Sequence, residues 1–385
     1  MFLLLGLFQT ILAVRVFLRM SKTSGGRRVE TFDQPLPARI TALVPVLNEA
    51  SRIANCLDGL VAQPEEVADI LVIDGGSTDE TRSIADIYRL RDARVKWIDA
   101  SPVDSRWTGK AWGLNFGLTR SNPSSQWFLC IDADVRIAPK LARSLLAHAI
   151  HTGISTFSLA TRQHLSGAAE AVLHPSLLTT LVYRFGQPGT VCRNPHQVQA
   201  NGQCFFSRRE ILLRTDAFAA AQASLCEDIT IARRLVERGE AVGFYESDDL
   251  ADVWMYRSWR ETWTNWPRSL PMRDQYFAWP EMIGLLEVLL VQGFPLPMLI
   301  LVWWLSGPVW FVALNVILLL MRVGVLFGAA RAYYRRPWTY WLSPLCDMAV
   351  AVRLIQSALS RKHRWRGRSY IRRSGGTFAP ENMSL

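Results

Sequence analysis

The stretch "ADILVIDGGSTDETRSIADIYR", Ala68 to Arg89, decides the fold. An apolar strand runs into a glycine pair at Gly75-Gly76. Ser77, Thr78 and Asp79 then offer side-chain oxygens to start a helix. The same pattern stands just before it. "RITALVPVLNE" (residues 39–49) passes from apolar to polar, and "ASRIANCLDGLVAQ" follows with Ile53, Leu57 and Leu60 on one helical stripe. "RVKWID" reads as a third short strand. "WFLCIDAD" reads as a fourth, after a helix spanning about Lys110 to Thr119. Strands alternating with helices at this spacing predict an α/β domain with a largely parallel sheet covered on both faces. Ligands of such sheets bind beyond the carboxyl ends of the strands. Glu49, Asp74, Asp79, Asp132 and Asp134 recur at those ends.

The segment "QWFLCIDADVRIAPK" (Gln126–Lys140) sharpens the point. A side-chain period of two puts Asp132 and Asp134 on one side if the strand continues that far. Two carboxylates held close repel each other unless a cation sits between them. The competing reading is a plain strand end and turn before Pro139. No GxGxxG follows the first strand and no Walker lysine is present, which disfavours dinucleotide enzymes and P-loop ATPases. A site that holds a nucleotide through carboxylates and a bridging Mg²⁺ or Mn²⁺ fits the oxygen-rich donor set.

Six motifs in order, "VPVLNEA", "VIDGGSTDET", "WTGKAWGLNFG", "IDADV", "NGQCFFSRRE" and "CEDITIARRLVERG", resemble a family 2 glycosyltransferase of the GT-A fold over about Arg39 to Arg260. The resemblance implies a GT-A catalytic domain at residues 38–262, acting on a nucleotide-sugar donor. Pro45, Asn48 and Glu49 would line the nucleotide pocket and Asp74 would bond the base. Asp132 and Asp134 would hold metal and diphosphate, with Asp134 the surer ligand. Asp228 of the Glu227-Asp228 pair would be the general base, against the plainer reading of that pair as a helix cap. Lys110 and Arg257 would face the donor phosphates. Asn201, Gly202, Gln203 and Trp259 would border the acceptor. One base opposite a neutralised leaving group implies single displacement with inversion. Gly75 stands where the family commonly has a second aspartate, and the Gln-x-x-Arg-Trp motif of processive members is missing, which disfavours polymer synthesis.

The ends of the chain are apolar. Residues 1–20 predict an uncleaved membrane anchor interrupted by Arg15, followed by a flexible basic stretch at Ser21–Arg28. Met282 to Met321 carries Glu287 as its single charge. It is long enough for two crossings, with a break near Ser306-Gly307-Pro308. Trp338 to Leu359 contains Asp347 and Arg353, which are costly in hydrocarbon, and reads as re-entrant or interface-lying. Between the catalytic and membrane parts, residues 263–281 belong to a tryptophan- and arginine-rich interfacial segment. From Arg322 onward twelve Lys/Arg face Asp347 and Glu381, so the net charge of +10 resides there. That location points to a membrane surface and excludes nucleic acid as partner. Six cysteines without metal spacing suit a reducing compartment.

These features predict an integral protein of a bacterial cell membrane with its catalytic domain on the cytoplasmic face. Residues 282–360 form its C-terminal membrane region and 361–385 a basic cytoplasmic tail. The expected reaction moves one sugar to the hydroxyl of a membrane lipid. By resemblance a carotenoid is favoured, with ceramide, hopanoid or polyprenyl phosphate as alternatives. The contrasting reading is a membrane scaffold with a degenerate transferase domain; the intact Asp132, Asp134 and Asp228 count against it.

Overall fold

The computed structural model describes residues 1–365 and 368–381. The first helix, α1 (Phe2–Thr23), continues into the stretch expected to be flexible. The catalytic part then runs β1 (Ile40–Val46), α2 (Ile53–Val61), β2 (Val67–Asp74), α3 (Thr81–Arg91), β3 (Val95–Asp99), α4 (Gly109–Arg120) and β4 (Trp127–Ile131). Next come β5 (Val135–Ile137), α5 (Leu141–Thr152), β6 (Thr156–Ala160), β7 (Arg162–Gln163), α6 (Ala168–Phe185), β8 (Thr190–Cys192) and β9 (Cys204–Arg208). It closes with α7 (Arg209–Thr215), α8 (Ala217–Ala220), α9 (Glu227–Glu237), β10 (Val242–Glu246), β11 (Ala251–Val253) and α10 (Trp259–Ser269).

The main sheet has the order β3-β2-β1-β4-β9-β6-β10-β8. Its first four strands are parallel, and β9 runs antiparallel between β4 and β6, so the sheet is mixed but mainly parallel. Register aligns Val46 with Asp74 and Asp74 with Asp99, which brings three strand ends to one rim. Helices cover both faces. Ile53, Leu57 and Leu60 of α2 are fully buried on one, each worth about 1.5–3 kcal/mol. α4 and α9 lie on the other. Contact there is close: a Cβ on Gly117 of α4 would stand 2.3 Å from Ile73 Cδ1 of β2. The glycine lets α4 settle deep enough to bring Lys110 to the rim.

The C-terminal part comprises α11 (Trp279–Glu287), α12 (Pro295–Trp304), α13 (Val309–Gly328) and α14 (Asp347–Leu359), then β12 (Lys362–Trp365), β13 (Arg368–Arg372) and β14 (Phe378–Pro380). Among the described residues three segments, Phe2–Thr23, Val309–Ala332 and Trp338–Leu359, are long and apolar enough to cross a membrane. A fourth qualifies as a bent pair, Trp279–Gly293 with Pro295–Trp304, at 52°. Leu4, Phe8 and Ile11 of α1 and Trp303, Val309 and Leu320 further on are exposed, a surface suited to lipid rather than water. One apolar cluster joins α1, α6, α10, α13 and α14, so the catalytic domain and these helices share a core.

Glu287 and Asp347, two acids of the apolar segments, are paired. Glu287 is fully buried against Arg15 at 3.0 Å and Arg19 at 2.8 Å. Asp347 receives Arg322 Nε at 2.8 Å, Ser176 Oγ at 2.6 Å and Gln292 Nε2 at 2.9 Å. The expected cost of Asp347 is therefore met by an arginine on the neighbouring helix. In the basic tail, β12, β13 and β14 form an antiparallel sheet. It docks on the catalytic domain, with Phe378 N donating to Ala223 O at 2.8 Å. Residues 366–367 and 382–385 of that tail lie outside the described residues. The segment after α13 docks there as well, since Tyr334 N donates to Gln163 O at 3.0 Å.

Breaking a buried ion pair by removing one partner costs about 3–5 kcal/mol, whereas apolar replacement of both is far cheaper. Asp347→Ala is therefore expected to lower the thermal midpoint in detergent sharply, and Arg322→Met with Asp347→Leu to recover most of it. A double variant as unstable as the single one would contradict this role for the pair.

Candidate functional site

β4 ends at Ile131, so the Asp132-Ala133-Asp134 pair is carried by a turn and not by a continuing strand. The turn is held by Asp132 N donating to Gln203 O at 3.3 Å and Val135 N to Asp132 O at 3.1 Å. It leads into β5, which pairs with β11 in a small second sheet.

Lys110 is the centre of the site. It sits in the first turn of α4 with Nζ 2.7 Å from Asp132 Oδ1 and 2.7 Å from Glu227 Oε1. It is not the solvated helix-start cation that its position suggests: only 17% of the side chain is exposed. Burial works against its charge, yet Asp132, Glu227 and Asp228 together hold the ammonium well above the usual lysine value. Glu227 and Asp228 form the first turn of α9, where the helix dipole also favours negative charge. Asp228 Oδ2 accepts from Gly202 N at 2.9 Å and Oδ1 from Ile229 N at 2.8 Å. Burial, then Glu227, push its carboxyl up to about 6 against the pull of Lys110 and those amides. Asp132 is raised to about 6, first by burial and then by Asp134, again opposed by Lys110. Its side chain keeps 26% exposure, so solvent moderates that rise.

The "NGQ" turn closes the arrangement. A Cβ on Gly202 would lie 2.6 Å from Lys110 Nζ and 3.1 Å from Glu227 Oε1, so only glycine leaves room for the ion-paired cluster. Asn201 Nδ2 donates to Gln203 Oε1 at 3.1 Å, and Thr161 Oγ1 donates to the same oxygen.

Two cavities meet at this cluster. The first, about 120 Å³, is lined by Pro45, Glu49, Asp132 and Asp134 at strand ends, by Lys110 at the start of α4 and by Tyr370 of β13. Asn48 and Asp74 stand behind this wall. Asn48, at φ 55°, accepts Thr78 N at 2.8 Å, and Asp74 accepts Ser77 Oγ at 2.6 Å, so both shape the loops. Beside it Arg257, Arg52, Arg136 and Asp134 line a cationic hollow. There Arg257 Nη2 donates to Ser51 Oγ at 2.8 Å, and Arg52 lies 3.7 Å from Asp134.

The second cavity, about 220 Å³, opens at Asp228, Asn201 and Gln203. It continues along Leu178, Val182, Met255, Trp266 and Leu270 to Val325 and Ala329 at the end of α13. Trp259, expected at the acceptor, opens α10 at 45% exposure and lines neither cavity. Of the tryptophans between Trp254 and Trp279, Trp254, Trp259 and Trp279 are exposed as an interfacial belt requires, whereas Trp266 is buried. Arg52, Trp266 and Tyr370 were not found from sequence; no local pattern distinguishes them from ordinary helix or strand residues.

Among the described residues no three His, Cys, Asp or Glu side chains gather into a metal cage. Asp132 and Asp134 instead offer two carboxylates to one cleft. That matches how Mg²⁺ is bound, through one or two carboxylates with substrate phosphates completing the shell.

The mixed sheet, the rim of strand-end acids and the Asp-x-Asp turn are those of the GT-A fold. Residues 41–214 match Glycosyl transferase family 2. A 4,4'-diaponeurosporenoate glycosyltransferase of Staphylococcus aureus is 32% identical over 101 residues, 26% of this chain and 25% of that protein. The match thus spans a quarter of that relative's length. A mannosyltransferase from Pyrobaculum calidifontis, solved with GDP-Man and Mn²⁺, shares the fold at 17% identity. It covers 92% of this chain and 99% of its own, with a TM-score of 0.53. Asp228 lies beyond the matched family stretch, so its assignment rests on the geometry above.

Lys110 lowers both raised carboxyls. Lys110→Ala is therefore expected to shift the acid limb of kcat/KM upward from about pH 6, by about one unit or more. A limb that stays in place would show that neither carboxyl governs the rate.

Proposed function

We propose that this chain is an inverting, membrane-bound glycosyltransferase that moves one sugar from a nucleotide-sugar donor to the hydroxyl of a membrane lipid. The observation that carries the reading is the second cavity. It joins Asp228 to aliphatic side chains of α6 and to the end of α13, a helix fit to span a bilayer. A lipid hydroxyl can enter there without its chain meeting water. Partial similarity to the diaponeurosporenoate enzyme favours a carotenoid among such lipids.

The donor lies in the first cleft, its nucleotide against Pro45 and Glu49. Asp134 and Asp132 would hold a divalent cation, which when bound supplies Lewis-acid neutralisation of the diphosphate. Lys110, Arg52 and Arg257 add positive charge from the protein itself, stabilising the leaving group as the glycosidic bond breaks. Asp228, with a carboxyl near 6, is mostly ionised at neutral pH yet basic enough to take the acceptor proton. Its two backbone donors fix the carboxylate, and Asn201 and Gln203 border the acceptor oxygen. The oxygen attacks the anomeric carbon on the face opposite the diphosphate.

Contacts on both sides of the last apolar segment support the topology. The stretch after α13 and the sheet after α14 both dock on the catalytic domain. These contacts favour a topology in which the bent pair and α13 cross together and return while Trp338–Leu359 does not cross, and the Lys/Arg excess favours the cytoplasm for this face.

Membranes carrying the protein, given a panel of nucleotide sugars and followed by lipid mass spectrometry, test the reaction. The wild type should yield a lipid bearing one added sugar. Asp134→Ala should lose both product and Mn²⁺-dependent donor binding. Asp228→Asn should keep donor binding while turnover falls about 10²–10⁴-fold. An Asp228→Asn loss below about tenfold would assign the base elsewhere.

Ser374→Cys, in a chain whose own cysteines are replaced, should resist an impermeant thiol reagent in sealed cells and react once they are opened. Labelling of sealed cells would overturn the topology.

A further inference from the structure

We infer that the C-terminal sheet is the closing wall of the donor cleft and that Tyr370 covers the bound nucleotide sugar as a positioning residue. This rests on the proposed reading of that cleft as the donor site. Every other lining residue lies between Pro45 and Asp134, on the ends of β1, β2 and β4, the start of α4 and, at Val103, the connection between β3 and α4. Tyr370 alone arrives from beyond the membrane helices, and it is 3% exposed. The sheet that carries it is small, and it stands on a three-residue apolar cluster of Leu225, Tyr370 and Phe378. Leu225 belongs to the short connection that leads into Glu227-Asp228, and Ala223 of the same connection takes the Phe378 amide. That connection is also bonded to the donor side, through Thr108 N to Gln222 O at 2.6 Å, two residues before Lys110.

A wall with so small a footing can leave and return as donor enters, while the rigid rim stays put. Its ring then meets the donor on the side opposite the carboxylates, excludes water, and links donor seating to the segment that carries the base. The function resides in the aromatic ring, since the apolar cluster is what holds it.

The test uses the full-length protein in lipid nanodiscs, with UDP and GDP, each with Mn²⁺, as probes. Tyr370→Ala should weaken binding of the preferred nucleotide about tenfold or more, and Tyr370→Phe should stay within about threefold. Hydrogen exchange of the wild type should slow on nucleotide addition both at residues 45–49 and 109–112 and at residues 368–372. Protection of the rim without protection of 368–372 would overturn the wall and leave the donor reading standing. Wild-type affinity in Tyr370→Ala would overturn it equally. If Tyr370→Ala does not fold, the wild-type exchange pattern decides.

Discussion

Everything chemical in this molecule is arranged around one buried ammonium. Lys110 stands between Asp132, on the rim of the main sheet, and Glu227, on the first turn of α9. Three carboxylates, Asp132, Glu227 and Asp228, converge there, and like charges about 4 Å apart cost about 4 kcal/mol at an effective dielectric near 20. Without the lysine that cluster would protonate or spread. With it, the turn after β4, the "NGQ" turn and the start of α9 are drawn to one point. The constraint explains two glycines: Gly117 lets α4 approach the sheet, and Gly202 leaves room for the ammonium itself. The ammonium also stands between the two cavities, with Asp132 lining one and Asp228 the other, the proposed donor and acceptor sides.

A second constraint joins the catalytic domain to the apolar helices. α6 presents Leu173, Leu177 and Val182 to the same cluster that receives Leu12 and Val16 of α1 and Val350 and Leu354 of α14. Its Ser176 also reaches Asp347, which pairs with Arg322. The apolar helices are thus part of the second cavity's wall, which runs from Val325 of α13 to Asp228; in the proposed reaction a lipid hydroxyl enters along them.

The half of the fold from β1 to β4 was legible in the sequence because each strand is a short apolar run closed by a polar turn and followed by a striped helix. The rim acids followed from that. Long-range partners were not legible. α6 is apolar on most sides and contains Pro175, so it carries no clean stripe. The pairings of Arg15 with Glu287 and Arg322 with Asp347 join positions 272 and 25 residues apart. The docking of the tail was not legible because its few apolar residues find their partner in Leu225, far back in the chain. Within the site, Lys110, Asp132, Glu227 and Asp228 came together as the motifs implied. Asn48 and Asp74 also bond within the neighbouring loop, accepting Thr78 N and Ser77 Oγ.

The mechanism therefore rests on a single base facing a leaving group whose charge is neutralised on the opposite side. Such an arrangement permits one in-line displacement and no covalent sugar–enzyme intermediate. The anomeric configuration of the sugar in the lipid product, read by NMR from an α-linked donor, tests this most directly. A β-linked product is the predicted result. An α-linked product would require two displacements or a front-side attack, and would contradict the role given to Asp228.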